Sequence, residues 1–229
     1  MAMYGNGGGF WSELPPVTKN IILINIIIFI ATQINDNFMI STFALFYPTS
    51  YFFRPWQIIT HMFMHGGFWH IFMNMYTLLI FGMVLERAIG SKKFFTFYFL
   101  SGLGAAALHL GVEYLQVQHY LAAGTSGAMV SYQQLVMTPT LGASGAIYGV
   151  LIGYAMLYPD SVLTLIFPPV SMKAKWFVLI FAAIELAMGI FTTSDGVAHF
   201  AHLGGMLIGF LLIMWWRKTG RVYEREKWI

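Results

Sequence analysis

The chain has 229 residues, of which 58% are hydrophobic and 9% are charged, whereas soluble domains carry about 25% charged residues. So few charges cannot cover a water-facing surface, which excludes an ordinary soluble domain and indicates an integral membrane protein. The chain has no cysteine, which excludes disulfides and thiolate metal sites, and its formal net charge is +3.

Six apolar segments are predicted to cross a hydrocarbon core, which needs roughly 20 helical residues. We therefore predict an all-α membrane protein, a bundle of six transmembrane helices with both termini in the cytoplasm. The segments are 17–35, 69–86, 93–113, 144–158, 174–192 and 199–216. Around them we predict a cytoplasmic N-terminal segment at 1–16, one membrane domain at 17–217 and a basic cytoplasmic tail at 218–229. The N-terminus lacks the basic region of a cleavable signal, so we expect nothing to be removed.

The basic residues set the predicted orientation. Of the twelve lysine and arginine residues, all except Arg54 fall on one side of this topology. Basic residues concentrate in cytoplasmic loops, so that side is predicted to be the cytoplasm. Two long connections then lie outside. Residues 35–68 are rich in aromatics and are expected to lie partly in the membrane interface, and residues 114–141 are expected to be polar and flexible.

Three polar residues are predicted to lie at one depth in the membrane. Ser144, His70 and His202 each precede the cytoplasmic charge of their segment by 15 or 16 residues. At about 1.5 Å per residue this is roughly 22–24 Å of helix. In a core about 30 Å thick, all three lie a few ångströms below the outer surface. Asn74 follows His70 by four residues and therefore projects from the same helix face.

Glycines at every fourth position mark the segments that carry Ser144 and His202. Small residues at this spacing let membrane helices approach closely. Packing alone would explain them, but a short Ser–His hydrogen bond requires the same close approach. They are Gly145, Gly149 and Gly153 in the fourth segment, and Gly205 and Gly209 in the sixth.

A serine hydroxyl is a weak nucleophile until a base takes its proton, and histidine is the usual base. Ser144 at a helix start lies among backbone N–H groups without helical partners, which can hold an oxyanion. Tyr148 is placed to stack on the imidazole of His202. The nearest carboxylate, Asp195, lies seven residues upstream of that histidine, so the sequence predicts a Ser–His dyad and not a triad.

The motifs resemble the rhomboid intramembrane serine proteases over the second through sixth segments. Their order and spacing carry the resemblance, because a lone GxSG is weak. The motifs are His70-Ile-Phe-Met-Asn74, Glu86-Arg-Ala-Ile-Gly90, Gly142-Ala-Ser144-Gly145 with Tyr148, and Ala201-His202-Leu-Gly-Gly205 with Gly209.

The resemblance implies a nucleophile at Ser144, a base at His202 and an oxyanion hole. Its expected donors are the side chains of His70 and Asn74 and the backbone N–H groups of Ala143 and Ser144. Tyr148, Gly142, Gly145, Gly205 and Gly209 are expected to support the site. Trp56-Gln57 stands where the family often has Trp-Arg, which puts the anchoring of the outer loop in doubt.

Five other polar residues give weaker indications of function. Ser126 lies in a second GxSG without a membrane helix after it, so we expect a loop serine. His199 is one turn nearer the outside than His202 and lacks the glycine spacing. His61 and His65 have the i, i+4 spacing of metal ligands, but without an evident third ligand a structural role is favoured. Glu185, near mid-bilayer where a carboxylate is costly, receives no role beyond protonation or pairing with a polar group.

The expected activity is hydrolysis of peptide bonds in or near transmembrane segments. The expected partners are transmembrane protein substrates and the lipid bilayer, with no cofactor, metal or nucleic acid. We expect a bacterial cytoplasmic membrane, with the site open to the outer side. The alternatives are a rhomboid-like protein that binds transmembrane clients without catalysis, and a transporter or channel that relays protons through histidines.

Overall fold

Six apolar helices form the body of the molecule in a computed structural model that describes residues 9–164, 169–191 and 197–220. The helical membrane bundle predicted from the sequence is confirmed. Five of these helices are long and apolar enough to cross a membrane, and the fourth has 14 residues. We number them in chain order from first to sixth: Pro16–Ile34, Phe68–Ile89, Ser91–Ala123, Ser144–Leu157, Ala174–Phe191 and His199–Lys218.

Shorter elements connect them. One antiparallel pair of strands precedes the fifth apolar helix, with Leu163 opposite Met172. Leu45 and Thr140 form an isolated bridge between the two outer connections. The short helices are Phe10–Glu13, Asp36–Phe43, Gln57–Thr60 and Ser126–Met137 with the 3-10 helix His61–Phe63, and the strands are Val162–Thr164 and Ser171–Lys173.

The prediction of a flexible connection at residues 114–141 is wrong. The third apolar helix continues to Ala123, and a second helix follows at Ser126–Met137. Gly124 makes this turn possible because its φ of 61° is left-handed. The Thr125 side chain then caps the new helix by accepting a hydrogen bond from the Ala128 N–H at 3.2 Å. This connection also has a small core of its own, formed by Tyr47, Val117 and Val136.

The first apolar helix is anchored by a carboxylate of the second. Glu86 is 1% exposed and accepts hydrogen bonds from the backbone N–H groups of Val17 at 3.0 Å and Thr18 at 2.7 Å. These N–H groups have no helical partners, and the helix dipole favours a negative charge there. The Glu86-Arg-Ala-Ile-Gly90 motif therefore has a structural function in this fold.

A glycine seam joins the fourth and sixth apolar helices, and we define it as Gly145, Gly149, Gly205 and Gly209. A β-carbon added to Gly205 would lie 1.8 Å from the carbonyl oxygen of Gly145. One added to Gly209 would lie 2.9 Å from the carbonyl oxygen of Gly149. The two backbones are therefore in direct contact, and the third apolar helix packs against both. This contact fixes where the N-terminal turns of the two helices meet.

Candidate active site

The glycine seam brings Ser144 and His202 together. Ser144 is the first residue of the fourth apolar helix, and His202 lies in the first turn of the sixth. The Nε2 atom of His202 is 2.8 Å from the Oγ atom of Ser144, a normal hydrogen-bond distance. His202 is buried. Two residues that are 58 positions apart in the sequence therefore form one pair.

Tyr148 lies one turn after Ser144 and holds the imidazole face. Its ring stacks on that of His202, with the centroids 4.2 Å apart and the planes 7° from parallel. The Tyr148 hydroxyl donates a hydrogen bond to Glu185 of the fifth apolar helix. One tyrosine thus contacts both the histidine and a buried carboxylate.

The expectation that no carboxylate lies behind His202 is wrong. The Oε2 atom of Glu185 is 2.9 Å from Nδ1 of His202 and 2.7 Å from Nδ1 of His199. The His202 contact is short, but the ring N–H does not point closely enough at the oxygen for a well-formed hydrogen bond. Asp195, the carboxylate considered in the sequence, lies outside the described residues.

Of the side chains expected to bind an oxyanion, His70 lies beside the loop that precedes Ser144. A β-carbon added to Gly142 would lie 2.9 Å from His70 Nε2 and 3.5 Å from Ser144 Oγ, so both atoms border this residue. Gly142 has a φ of 137°, and its N–H donates to the carbonyl oxygen of His61 at 3.0 Å. The Nδ2 atom of Asn74 is buried and has no hydrogen-bond partner among the described residues. This amide is therefore available as a donor.

The backbone at the start of the fourth apolar helix offers further donors. Ala143 is the N-cap residue and Ser144 is the first helical residue. The N–H groups at these positions have no acceptor within the helix because no turn precedes them. They lie beside the Ser144 hydroxyl, and the helix dipole adds a partial positive charge there.

We define the outer loop as residues 35–67. Its two histidines, His61 and His65, lie near this site, but they do not form the helical i, i+4 pair that the sequence suggested. The 3-10 helix ends at Phe63 and Met64 is extended, so His61 and His65 do not share a helix face. His61 Nδ1 is 2.8 Å from the Gln57 carbonyl oxygen, and the His65 ring meets that of His70 edge-on at 5.0 Å. Burial lowers the pKa of His61 to about 4 and that of His65 to about 3.

Gln57 anchors the outer loop, although its identity had put that anchoring in doubt. It is fully buried, and its Oε1 accepts hydrogen bonds from the backbone N–H groups of Arg54 at 3.1 Å and Phe46 at 3.3 Å. Its Nε2 donates to the Phe52 carbonyl oxygen at 2.9 Å. Neighbouring Trp56 donates from Nε1 to the Thr42 carbonyl oxygen at 2.9 Å. The neutral amide of Gln57 thus stands where the Trp-Arg pattern has the guanidinium of an arginine.

Ser126 is not the loop serine that was expected, because it is the first residue of the helix Ser126–Met137. It is exposed, unlike the buried start of the fourth apolar helix. Its helix packs against the third apolar helix. The second GxSG is thus a helix start on the surface.

One group of side chains has the composition of a metal site. Potential ligand atoms of Glu185, His199 and His202 lie within 4.8 Å of one another. Two histidines and a glutamate are a ligand set that zinc accepts. The contacts of 2.7 and 2.9 Å between the imidazoles and the carboxylate account for the same cluster as a polar network without a metal.

Comparisons with known proteins agree with the motifs. Residues 52–218 match the Rhomboid domain family. The chain is 32% identical over 159 residues to RHOMBOID-like protein 6, mitochondrial, of Arabidopsis thaliana, covering 69% of this chain and 43% of that protein. It is 30% identical over 155 residues to Rhomboid protein 1, mitochondrial, of Saccharomyces cerevisiae, covering 68% and 40%. With Rhomboid protease AarA of Providencia stuartii it shares 28% identity over 160 residues, covering 69% and 54%. The chain thus matches less than two thirds of the length of these relatives.

Proposed function

The chain belongs to the rhomboid family, and on that premise we propose that it is an intramembrane serine endopeptidase that uses Ser144 and His202. The observation that carries the proposal is the 2.8 Å contact between Ser144 Oγ and His202 Nε2 at the start of an apolar helix. A nucleophile and a base within hydrogen-bond distance are what covalent serine catalysis requires. The general class, a multi-pass membrane protein of a family with protease members, follows from the comparisons.

The proposed reaction begins when Ser144 Oγ attacks the scissile carbonyl carbon while His202 Nε2 accepts its proton. The carbonyl oxygen becomes an oxyanion. Collapse of the tetrahedral intermediate breaks the C–N bond, and the imidazolium of His202 gives its proton to the departing amine. Water then attacks the acyl-enzyme, losing a proton to the same nitrogen. A second collapse releases the carboxylic acid product and returns the proton to Ser144.

Four groups are proposed as the oxyanion hole. They are the backbone N–H groups of Ala143 and Ser144 and the side chains of His70 and Asn74, and the position of His70 Nε2 beside Gly142, which also borders Ser144 Oγ, supports the assignment. Preorganised donors of this type stabilise the developing charge because they need no reorganisation during the reaction. The unpartnered amide of Asn74 supports this assignment, since a buried donor without an acceptor is costly unless a ligand supplies one.

Five further residues are proposed to support the site. Tyr148 orients the imidazole, Gly142 leaves room for His70, and Gly145, Gly205 and Gly209 allow the helices to approach. We also propose the six-span topology, with segments 1–16 and 218–229 in the cytoplasm and the membrane domain at 17–217. Residues 1–8, 165–168, 192–196 and 221–229 lie outside the described part. Transmembrane substrates would reach a site open to the outer side between the outer loop and the fifth apolar helix.

The relatives do not support a bacterial cytoplasmic membrane in particular, because they include mitochondrial proteins.

The proposal is tested with the purified protein in detergent. We expect it to react with a fluorophosphonate probe and to cleave single-span reporter proteins. Ser144→Ala should abolish both activities, and His202→Ala should reduce both by roughly 1,000-fold or more. Ser126→Ala is the matched control and should behave as wild type.

Equal labelling of Ser144→Ala and wild type would refute this function. Reporter binding without cleavage by the wild-type protein would favour the alternative, a rhomboid-like protein that binds transmembrane clients without catalysis.

A further inference from the structure

A buried carboxylate remains that the proposed Ser–His pair does not use. Glu185 lies in the fifth apolar helix and is 7% exposed. Ionisable residues within membrane segments are costly to bury and usually serve a function. An exposed apolar residue would be the ordinary choice on this helix, as Ile184 and Leu186 on either side show.

Three donors from two other helices converge on this carboxylate. The Tyr148 hydroxyl donates to Oε1, while Oε2 lies 2.7 Å from His199 Nδ1 and 2.9 Å from His202 Nδ1. An ionised carboxylate can accept all three and can donate none. A lone pair that faced the anion at these distances would be repelled, so the Nδ1 atom of each imidazole carries the hydrogen.

This requirement fixes the chemistry of the other ring nitrogen. A neutral imidazole has one N–H and one lone pair, so a hydrogen on Nδ1 leaves the lone pair on Nε2. Nε2 of His202 is the atom that lies 2.8 Å from the Ser144 hydroxyl. Without the carboxylate, the hydrogen could reside on either nitrogen, and one of the two tautomers cannot accept a proton from serine.

We propose that Glu185 is a positioning residue that holds His202 in the tautomer able to accept the proton of Ser144. The inference rests on the proposed function, because it assigns a role within that reaction. Glu185 also stabilises the imidazolium that forms, since a negative charge then lies beside the new positive charge. The carboxylate itself stays ionised, and no proton moves to it.

The imperfect direction of the His202 N–H is consistent with this role. Catalytic hydrogen bonds are often poorly aligned without substrate and tighten in the reacting complex. The ring is meanwhile stacked on Tyr148, whose hydroxyl contacts the same carboxylate. A small movement of the ring within its plane would complete the bond to Nδ1 and leave the stack intact.

The carboxylate also links the fifth apolar helix to the catalytic histidine. The buried residues of this helix are Ala174 and Val178 near its start, and Glu185 further along. Glu185 therefore supplies the buried contact of the second half of Ala174–Phe191. When this half of the helix moves away from the bundle, His202 loses the group that orients it. Glu185 thus contributes both to the docking of this half of the helix and to the orientation of the histidine.

The test compares Glu185→Gln, Glu185→Asp and Val178→Ala in the full-length protein, using the reporter cleavage assay and thermal unfolding. Glu185→Gln should lower kcat by roughly 100-fold or more, because an amide can donate to Nδ1 and stabilise the wrong tautomer. KM should change by less than about threefold, since the group does not contact substrate. Glu185→Asp keeps the charge and should recover at least about tenfold of the lost kcat.

Val178→Ala is the control for a purely structural role. It loosens the docking of the same helix without touching His202, and it should lower Tm while leaving kcat near wild type. The inference is overturned if Glu185→Gln keeps kcat within about threefold of wild type. It is also overturned if Val178→Ala and Glu185→Gln lower kcat equally at equal loss of Tm. Cleavage by Ser144→Ala in the same assay would instead refute the proposed function, so the two failures are distinguishable.

Discussion

The glycine seam and the elements around it hold the site by different means. Along the seam, the backbones of the helices that carry Ser144 and His202 are in direct contact. The fifth apolar helix is attached through a buried carboxylate, Glu185, as well as through apolar residues near its start. The outer loop is held together internally by the buried amide of Gln57. Ser144 and His202 are therefore placed by a backbone contact, whereas Glu185 beside them belongs to a helix that is held in part by this polar side chain.

The difference has an energetic basis. Backbones in van der Waals contact cannot separate without opening a void along the whole interface, and interiors are close-packed. A hydrogen bond contributes only about 1 kcal/mol net, because water or another partner can replace it. Polar attachment therefore lets an element detach and return without disturbing the seam. The proposed function requires both properties in neighbouring elements, because a substrate helix would have to enter from the membrane.

The largest expected effect comes from breaking the seam with Gly205→Ala. The new β-carbon would lie 1.8 Å from the Gly145 carbonyl oxygen, and because this neighbour is backbone it cannot rotate away. We expect the sixth apolar helix to be displaced. The free energy of unfolding should fall by about 3 kcal/mol or more, which is the cost of severe overpacking. Thermal unfolding should show a large fall in Tm, and both labelling and reporter cleavage should be lost.

Gly111→Ala is the matched control for that variant. Gly111 is also in an apolar helix, and a β-carbon there meets nothing within 4 Å. Alanine should be neutral or should raise stability by up to about 1 kcal/mol, since glycine is the poorer helix former. A Gly205→Ala protein with the Tm and cleavage rate of wild type would show that the seam is not rigid.

The next effect is a loosening of the outer loop in mild acid. Burial lowers the pKa of His61 to about 4 and that of His65 to about 3, whereas the unfolded value is about 6.5. Between pH 6.5 and 4 these histidines are protonated in the unfolded state but stay neutral in the folded loop. Their contribution to the free energy of unfolding is therefore greatest above pH 6.5 and decreases as the pH drops. For His61 the loss is at most about 3 kcal/mol.

Limited proteolysis of residues 35–67 between pH 7 and 5 measures this loosening, since carboxylates titrate mainly below that range. We expect faster cleavage in the outer loop at pH 5 and unchanged cleavage at the seam. The variants His61→Gln and His65→Gln should show a flatter dependence on pH, even where they are less stable at pH 7. The same pH dependence in both variants and wild type would contradict the assignment.

Much of the candidate site could be predicted from the sequence, because several of its residues are neighbours on one helix. Ser144 and Tyr148 are four residues apart, as are His70 and Asn74, and helical periodicity alone puts each pair on one face. Counting residues from the charged ends placed Ser144 and His202 at one depth, and the structure brings these two into contact. The role of each residue remains a prediction until it is tested.

Glu185 shows what the sequence could not give. Residue counting placed its backbone near mid-bilayer, below His202, and such a count ignores the reach of the side chain and the tilt of the helix. Which imidazole a carboxylate meets is decided by how three helices pack together, and that information is not local. The sequence does contain a signal, an ionisable residue inside an apolar segment. This signal indicates that Glu185 has a function, but it does not identify the side chain that Glu185 contacts.

The smallest expected effect is the loss of one polar anchor in Gln57→Ala. The change removes an amide that accepts from Arg54 N–H and Phe46 N–H and donates to the Phe52 carbonyl oxygen. Leaving those buried groups unpaired should cost about 1–3 kcal/mol, measured as a lower Tm. Gln116→Ala, at an exposed position, should leave Tm unchanged.

Because Gln57 holds the loop and not the seam, fluorophosphonate labelling of Ser144 should persist in folded Gln57→Ala protein at temperatures below its Tm. Labelling lost together with loop stability would mean that the loop, and not the seam alone, keeps Ser144 and His202 in register.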